Sequence, residues 1–284
     1  MKVIDAKTKI CVLIGDPVEH SFSPLIHNAG FDALGINFVY VACLVKNIEP
    51  AIKGIRALNI QGASITIPHK VKAISYVDTL DDLAQKIGSI NTIMNQDGKL
   101  VGYNSDGLAA LKAFQDHAID LKGKSVLVLG SGGVARAIAF SLVMRGEIKR
   151  LYILGIIENE MNILVEDLRK TGGIDIQGML LQEDILYKTL SVSDILINCT
   201  PIGMYPKTKE SLLPSRFLEP GLLVFDVVYN PPQTKLLKDA QKAGCMTISG
   251  LEMFINQAIV QFELWTGEKA PVDAMKKVLL KQLT

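Results

Sequence analysis

The segment SVLVLGSGGVARAIAFSL, residues 125–142, constrains the fold of this chain more than any other stretch. Residues 126–129 form an apolar run, residues 133–142 carry helix formers on a helical period, and glycines separate the two. Gly130, Gly132 and Ala135 satisfy G-x-G-x-x-A. In a strand–turn–helix unit the first glycine permits the tight turn and the second lets backbone approach a pyrophosphate. A small third residue allows close packing of helix on strand. Backbone N–H groups at the helix start then face the anion. By itself the string also fits an ordinary glycine turn; its strand and helix flanks favour a dinucleotide site.

The residue that reads the adenosine ribose belongs at the tip of the following strand, about 20 residues on. There the chain has RLYILGIIENE, with Gly155, Ile156, Ile157 and Glu158 at the tip. An arginine would pair with a 2′-phosphate, and an acidic residue at the strand end would bond a 2′-hydroxyl. Glu158 comes late for the second role, so the motif supports a dinucleotide without choosing between NAD and NADP.

The same alternation runs through the chain. Strands are predicted at 10–14, 37–42, 62–67, 89–94, 125–129, 150–154, 195–198, 222–227 and 246–249. Helices are predicted at 23–34, 47–58, 69–76, 107–117, 133–145, 160–171, 234–243 and 251–266. Strand–helix alternation implies a parallel α/β architecture, and 284 residues exceed one average domain. The expected organisation is an open α/β substrate-binding domain at 1–106 and a Rossmann-type nucleotide-binding domain at 107–250. The C-terminal helices, 251–284, return to the first domain.

Composition narrows the function classes. The chain is 49% hydrophobic with a net charge of +1 and no basic block, so neither nucleic acid nor an anionic membrane is an expected partner. No run reaches the about 18 apolar residues of a membrane span, and the N-terminus lacks the pattern of a signal peptide. Cys11, Cys43, Cys199 and Cys245 are scattered without metal-ligand or disulfide spacing. A reduced, cytoplasmic compartment and no metal are the expectation.

Four polar islands interrupt the N-terminal half near predicted strand ends: Ser21/Ser23, Ser64/Thr66/His69/Lys70, Asn91/Thr92 and Asn104/Ser105/Asp106. Beyond the carboxyl ends of an open parallel sheet such residues converge on one crevice. Hydroxyls, amides, a lysine and an aspartate there suit a small polyhydroxylated acid. Lys70 with Asp106 is the candidate acid–base pair for an alcohol that loses hydride to a nicotinamide. Each residue also has a structural reading: Ser23-Pro24 as an N-cap with Pro at N1, Lys70 as a solvated helix start, Asp106 as a cap.

In order, the strings HSFSPLIHN, SITIPHK, GSINTI, GYNSDG, GSGGVARA, NCTPIGM, DVVYNP and GLEMFINQA closely resemble the motif series of the shikimate dehydrogenases, from about residue 14 to 267. The resemblance implies NADP(H)-dependent interconversion of 3-dehydroshikimate and shikimate, in the pathway to aromatic amino acids. It implies that Ser21 and Ser23 bind the substrate carboxylate, that Thr66, Asn91, Tyr229 and Gln257 contact substrate, and that Lys70 and Asp106 form the catalytic pair. The loop Gly130, Ser131, Gly132, Gly133, Val134 would hold the pyrophosphate, with Val227 and Gly250 by the nicotinamide half, Met204 walling the cleft and Asp82 as a further cofactor contact.

Two departures stand out. Ser64-Ile65-Thr66 replaces the family's usual Asn-Val-Thr, and Gly155-Ile156-Ile157 replaces its usual Asn-Arg-Thr. The missing arginine implies weakened NADP preference, with NAD(H) use open. Alternatives of the same kind are an NAD-linked quinate/shikimate dehydrogenase and, from a different class, a non-catalytic nucleotide-sensing regulator. The presence of both Lys70 and Asp106 argues against the sensor. Oligomeric state is left open, a homodimer being one option.

Overall fold

The computed structural model describes residues 4–283. The chain divides into two compact units: Met1–Ser105 with Gln257–Thr284, and Asp106–Asn256. Each carries its own six-stranded sheet.

In the first unit the chain runs β1 (Lys9–Gly15), α1 (Ser23–Leu34), β2 (Phe38–Leu44), α2 (Ile48–Ala57), β3 (Gly62–Ile65), β4 (Thr79–Leu80), α3 (Asp82–Ile87), β5 (Thr92–Gln96) and β6 (Lys99–Tyr103). The strand order is β2-β1-β3-β5-β6-β4. β1 pairs in parallel with β2 and β3, whereas β5 is antiparallel to both β3 and β6. The sheet is therefore mixed, not parallel throughout as the alternation predicts. The cause is local: β5 and β6 are joined through Asp97 and Gly98, both at positive φ (51° and 92°). So short a connection can only make an antiparallel hairpin.

Two other expectations shift. Residues 69–76 form a turn and a short 3-10 helix, Lys72–Tyr76, not an α-helix. Ser23 is the first residue of α1 and not its cap: Phe22 occupies the N-cap without a side-chain bond, and Ser21 Oγ instead accepts from Ser23 N at 3.2 Å.

The second unit contains α4 (Ser105–Asp116, whose first residue closes the first unit), β7 (Ser125–Leu129), α5 (Gly133–Arg145), β8 (Arg150–Gly155), α6 (Glu158–Arg169), β9 (Asp175–Leu180), α7 (Glu183–Leu190), β10 (Ile195–Asn198), β11 (Leu223–Asp226), α8 (Lys235–Lys242) and β12 (Met246–Ser249). All its strands pair in parallel in the order β12-β11-β10-β7-β8-β9. That is the doubly wound order, with its switch point between β7 and β10. Buried β-branched and leucine residues fill β7, β8, β10 and β11, as a sheet covered on both faces requires. Ala135, Ala137 and Ala139 let α5 lie close to that sheet. Helix α9 (Gly250–Thr266) begins in this unit and ends in the first, followed by α10 (Val272–Leu283), which packs on α1.

The first unit's core includes an aromatic cage. His27 is fully buried, stacked on Tyr40 (4.5 Å between centroids) and flanked by Trp265, Phe31 and Phe262. Burial pushes its pKa down to about 3, so it is a neutral core side chain at physiological pH.

Candidate functional site

In the first unit, β1 ends at Gly15 and β3 at Ile65, while β5 starts at Thr92 and β6 ends at Tyr103. The register places Ile14 beside Ile65, Ser64 beside Thr92, and Thr92 beside Tyr103. Reversal of β5 thus brings a strand start and three strand ends to one end of the sheet. The polar islands converge there even though the sheet is mixed.

A buried relay links them. Tyr40 Oη donates to Ser64 Oγ (2.7 Å), and Ser64 Oγ donates to Gln261 Oε1 (2.9 Å). Gln261 Nε2 donates to Thr92 Oγ1 (2.9 Å), and Thr92 Oγ1 donates to Asn91 Oδ1 (2.8 Å). Asn91 Oδ1 also accepts from Ser105 N (2.8 Å) and Ser105 Oγ (3.0 Å). Ser23 interacts with the Tyr40 hydroxyl at the far end. Every bond from Tyr40 to Asn91 runs in the same donor direction, so the Asn91 amide has a defined orientation. Its oxygen takes three donors, which fixes the side chain at this end of the sheet. Ser64, where the family resemblance leads one to expect asparagine, uses its hydroxyl inside this relay.

The neighbouring candidates are held by backbone. Thr66 N donates to Ile14 O (2.9 Å), and a Cβ on Gly15 would lie 2.2 Å from Thr66 Cγ2, so glycine lets Thr66 lie over the end of β1. Lys70, half-buried, accepts through its carbonyl from Ile90 N (2.9 Å), which ties it beside Asn91. His69 is buried with Nε2 2.6 Å from Val45 O, a structural contact. Ser21 and Ser23 are half-buried at the start of α1. Gln257 is half-buried on α9, one turn before Gln261. Asp82 is exposed in the first turn of α3, in the first unit, whereas the other cofactor candidates belong to the second.

In the second unit the glycine loop follows β7 as the motif requires. Gly130 adopts φ +104° and donates to Leu154 O (2.7 Å). No atom lies within 4 Å of where a Cβ on Gly132 or Gly133 would stand. Protein packing therefore does not require glycine there, and the open space leaves room for close approach of a ligand. The first turn of α5 has no acidic residue, so its N–H groups keep their pull on an anion. Ser131 is half-buried in this loop and Val134 lies in that first turn. This loop fits a dinucleotide pyrophosphate.

The loops after β10 and β11 carry Met204, Val227 and Tyr229, and Asp226 holds both. Asp226 Oδ1 accepts from Asn198 Nδ2 (3.0 Å) and Val228 N (3.1 Å), and Oδ2 accepts from Thr234 Oγ1 (2.6 Å). Asn198 Oδ1 in turn accepts from Thr200 N (3.1 Å) and Thr200 Oγ1 (2.7 Å). Burial raises the Asp226 pKa to about 6 against these three donors. Gly250 is required by contact: its Cβ would meet Val227 O at 2.4 Å. Met204 is 46% exposed, and Tyr229 stacks on Phe254 at 5.0 Å. Asp106 is buried in the first turn of α4 and opens the second unit, whereas Lys70 belongs to the first.

Sequence reasoning does not single out Tyr40, Gln261, Asn198 or Asp226. Gln261 has a readable signal, its i+4 spacing from Gln257 on one helix face. Asn198 and Asp226 close buried apolar strands, where a polar residue needs partners. Among the described residues no group of three or more His, Cys, Asp or Glu side chains could hold a metal, and no helix is long and apolar enough to cross a membrane.

Two family profiles match: the shikimate dehydrogenase substrate binding domain over residues 13–93, and the shikimate 5′-dehydrogenase C-terminal domain over residues 250–280. The chain is 41% identical to the shikimate dehydrogenase (NADP(+)) of Methanocaldococcus jannaschii, over 99% of this chain and 100% of that one. The crystal structure of shikimate 5-dehydrogenase from Listeria monocytogenes, in complex with shikimate and NAD, superposes with a TM-score of 0.94. It is 34% identical and covers 98% of this chain and 99% of its own. A shikimate dehydrogenase crystallised with NADP+ gives a TM-score of 0.91 at 39% identity, covering 99% of this chain and 98% of its own.

Proposed function

The chain belongs to the shikimate dehydrogenase family, and from that premise we propose that it catalyses the reversible NADP(H)-dependent reduction of 3-dehydroshikimate to shikimate on the route to aromatic amino acids. The nicotinamide ring supplies the hydride in reduction and takes it in oxidation. The chain's own residues grip the substrate, orient it and move the proton.

Ser21 and Ser23 present hydroxyl donors to the substrate carboxylate at the start of α1. Asn91, Thr66 and Gln257 bond its ring hydroxyls, and Tyr229 is a further substrate contact. Lys70 donates a proton to the carbonyl oxygen as hydride arrives at carbon and takes it back in the reverse direction. Asp106 is its partner in the acid–base pair. In the second unit, Gly130, Ser131, Gly132, Gly133 and Val134 cradle the pyrophosphate, while Met204, Val227 and Gly250 shape the nicotinamide end. Asp82, an exposed carboxylate on α3 of the first unit, is the remaining cofactor contact.

The observation that supports the substrate half is the one-way relay ending at Asn91 Oδ1, which fixes the orientation of that side chain among the polar candidates. Replacing Lys70 by alanine tests the chemistry. Lys70→Ala is expected to lower kcat by about 10²–10⁴-fold, the usual worth of a positioned acid–base group, with cofactor affinity unchanged. Retained turnover would refute the assignment.

A further inference from the structure

The adenosine end of the dinucleotide site is defined by three loops. Gly155, at the tip of β8, lies against the glycine loop: a Cβ there would be 3.0 Å from Ser131 Oγ. Leu181 N, just past β9, donates to Gly155 O (2.9 Å). A ribose joined to the pyrophosphate therefore meets the residues that follow Gly155.

Those residues are apolar and acidic. Ile156 is 79% exposed, and Ile157, also exposed, is the N-cap of α6 and makes no side-chain cap bond. Glu158 and Glu160 occupy the first turn of α6 and already complement its positive end. Beyond β9 come Gln182, Glu183 and Asp184. No lysine or arginine occurs in residues 130–135, 155–168 or 180–184.

The nearby cations are directed elsewhere. Arg136 donates to Asp167 (2.8 Å) and lies 4.9 Å over Phe140. Asp167 is nine residues past Glu158 on α6, about 13 Å along the helix at 1.5 Å per residue. Arg216 approaches Glu183 at 3.9 Å and stacks over Phe217.

We infer that this site reads the adenosine without a 2′-phosphate clamp, so that the chain takes NAD(H) as well as NADP(H) and binds NAD+ no less tightly than NADP+. The exposed Ile156–Ile157 pair offers an apolar surface to the adenine. A 2′-phosphate would face carboxylates where a cation would reward it. This rests on the dinucleotide reading above and adds to it a second cofactor.

Calorimetric titration of the full chain with NAD+ and with NADP+ reads the inference directly, apart from turnover. A dissociation constant for NAD+ equal to or below that for NADP+ is expected. NADP+ binding tighter by more than about threefold overturns the inference while leaving the dehydrogenase reading intact. Failure of both dinucleotides to bind overturns the cofactor site itself, and the inference with it. Ile156→Arg supplies the missing cation on an exposed position where folding is not at stake. It should tighten NADP+ about tenfold or more, the worth of one charge-assisted hydrogen bond, and leave NAD+ nearly unchanged. Equal effects on both would contradict the assignment of Ile156 to the 2′ position.

Discussion

Thr92→Val cuts the relay next to Asn91. Thr92 Oγ1 donates to Asn91 Oδ1 (2.8 Å), accepts from Gln261 Nε2 (2.9 Å) and lies 3.2 Å from Ser105 Oγ. Thr92, Asn91 and Ser105 are wholly buried and Gln261 is 2% exposed, so water cannot replace what is lost. Valine keeps the volume and removes the hydroxyl. Two buried hydrogen bonds at about 1 kcal/mol each go, and Gln261 Nε2 keeps only its 3.3 Å bond to Asn91 O. Partial stranding of that donor adds about 1 kcal/mol, for a loss of about 3 kcal/mol in all. Asn91 Oδ1 retains both Ser105 donors, so the amide loosens without inverting. Urea denaturation should show a lower midpoint at unchanged slope. Steady-state assays should show KM for shikimate raised about tenfold, and the NADP+ dissociation constant, set in the other unit, unaltered. A stability loss below about 0.5 kcal/mol with KM unchanged would refute the claim that the relay orients Asn91.

Other perturbations test separate parts of the account. Gly62→Ala would put a Cβ 2.2 Å from Trp265 Cδ1 and Nε1, displacing a ring whose Nε1 donates to Ile93 O (3.0 Å). Overpacking and the lost bond together should cost about 3 kcal/mol in chemical denaturation, and a midpoint equal to wild type would contradict the packing. For His27 the folded pKa of about 3 lies below the unfolded 6.5. The unfolded chain therefore takes up the proton first, and stability is lost as pH falls from 6.5 toward 3. Relative to His27→Phe, wild type should lose about 2 kcal/mol between pH 6.5 and about 4.5; parallel pH profiles would sink this. Gly250→Ala drives a Cβ into the Val227–Val228 backbone and should abolish NADP+ binding in calorimetry before it abolishes folding; unimpaired binding would contradict the close approach.

Much of the second unit was readable because its signals are local. The apolar run at β7, the glycine turn and the helix period of α5 lie within 18 residues, and β7, α5, β10 and β12 have the expected bounds. The first unit was harder. β6 escaped notice although Asp97-Gly98 is a strong hairpin signal, and without it the sheet reads as parallel. β9 and α7 also lie outside the predicted elements; β9 is an edge strand with Gly178 in its middle, and its residues are largely half-buried or exposed. For the site, Ser23, Ser64, Asn91, Thr92 and Ser105 announced themselves as polar residues near strand ends. Their order along one relay did not, because Tyr40 comes from β2 and Gln261 from α9, and only the folded sheet joins them.

The most direct test is to mix the purified chain with shikimate and NADP+ and follow the near-ultraviolet absorbance of reduced nicotinamide, with NAD+ and with quinate in parallel. The account predicts shikimate-dependent reduction of the dinucleotide that disappears in Lys70→Ala while that variant still binds NADP+. Absence of reduction with shikimate on either dinucleotide, in a protein that binds them, would contradict it.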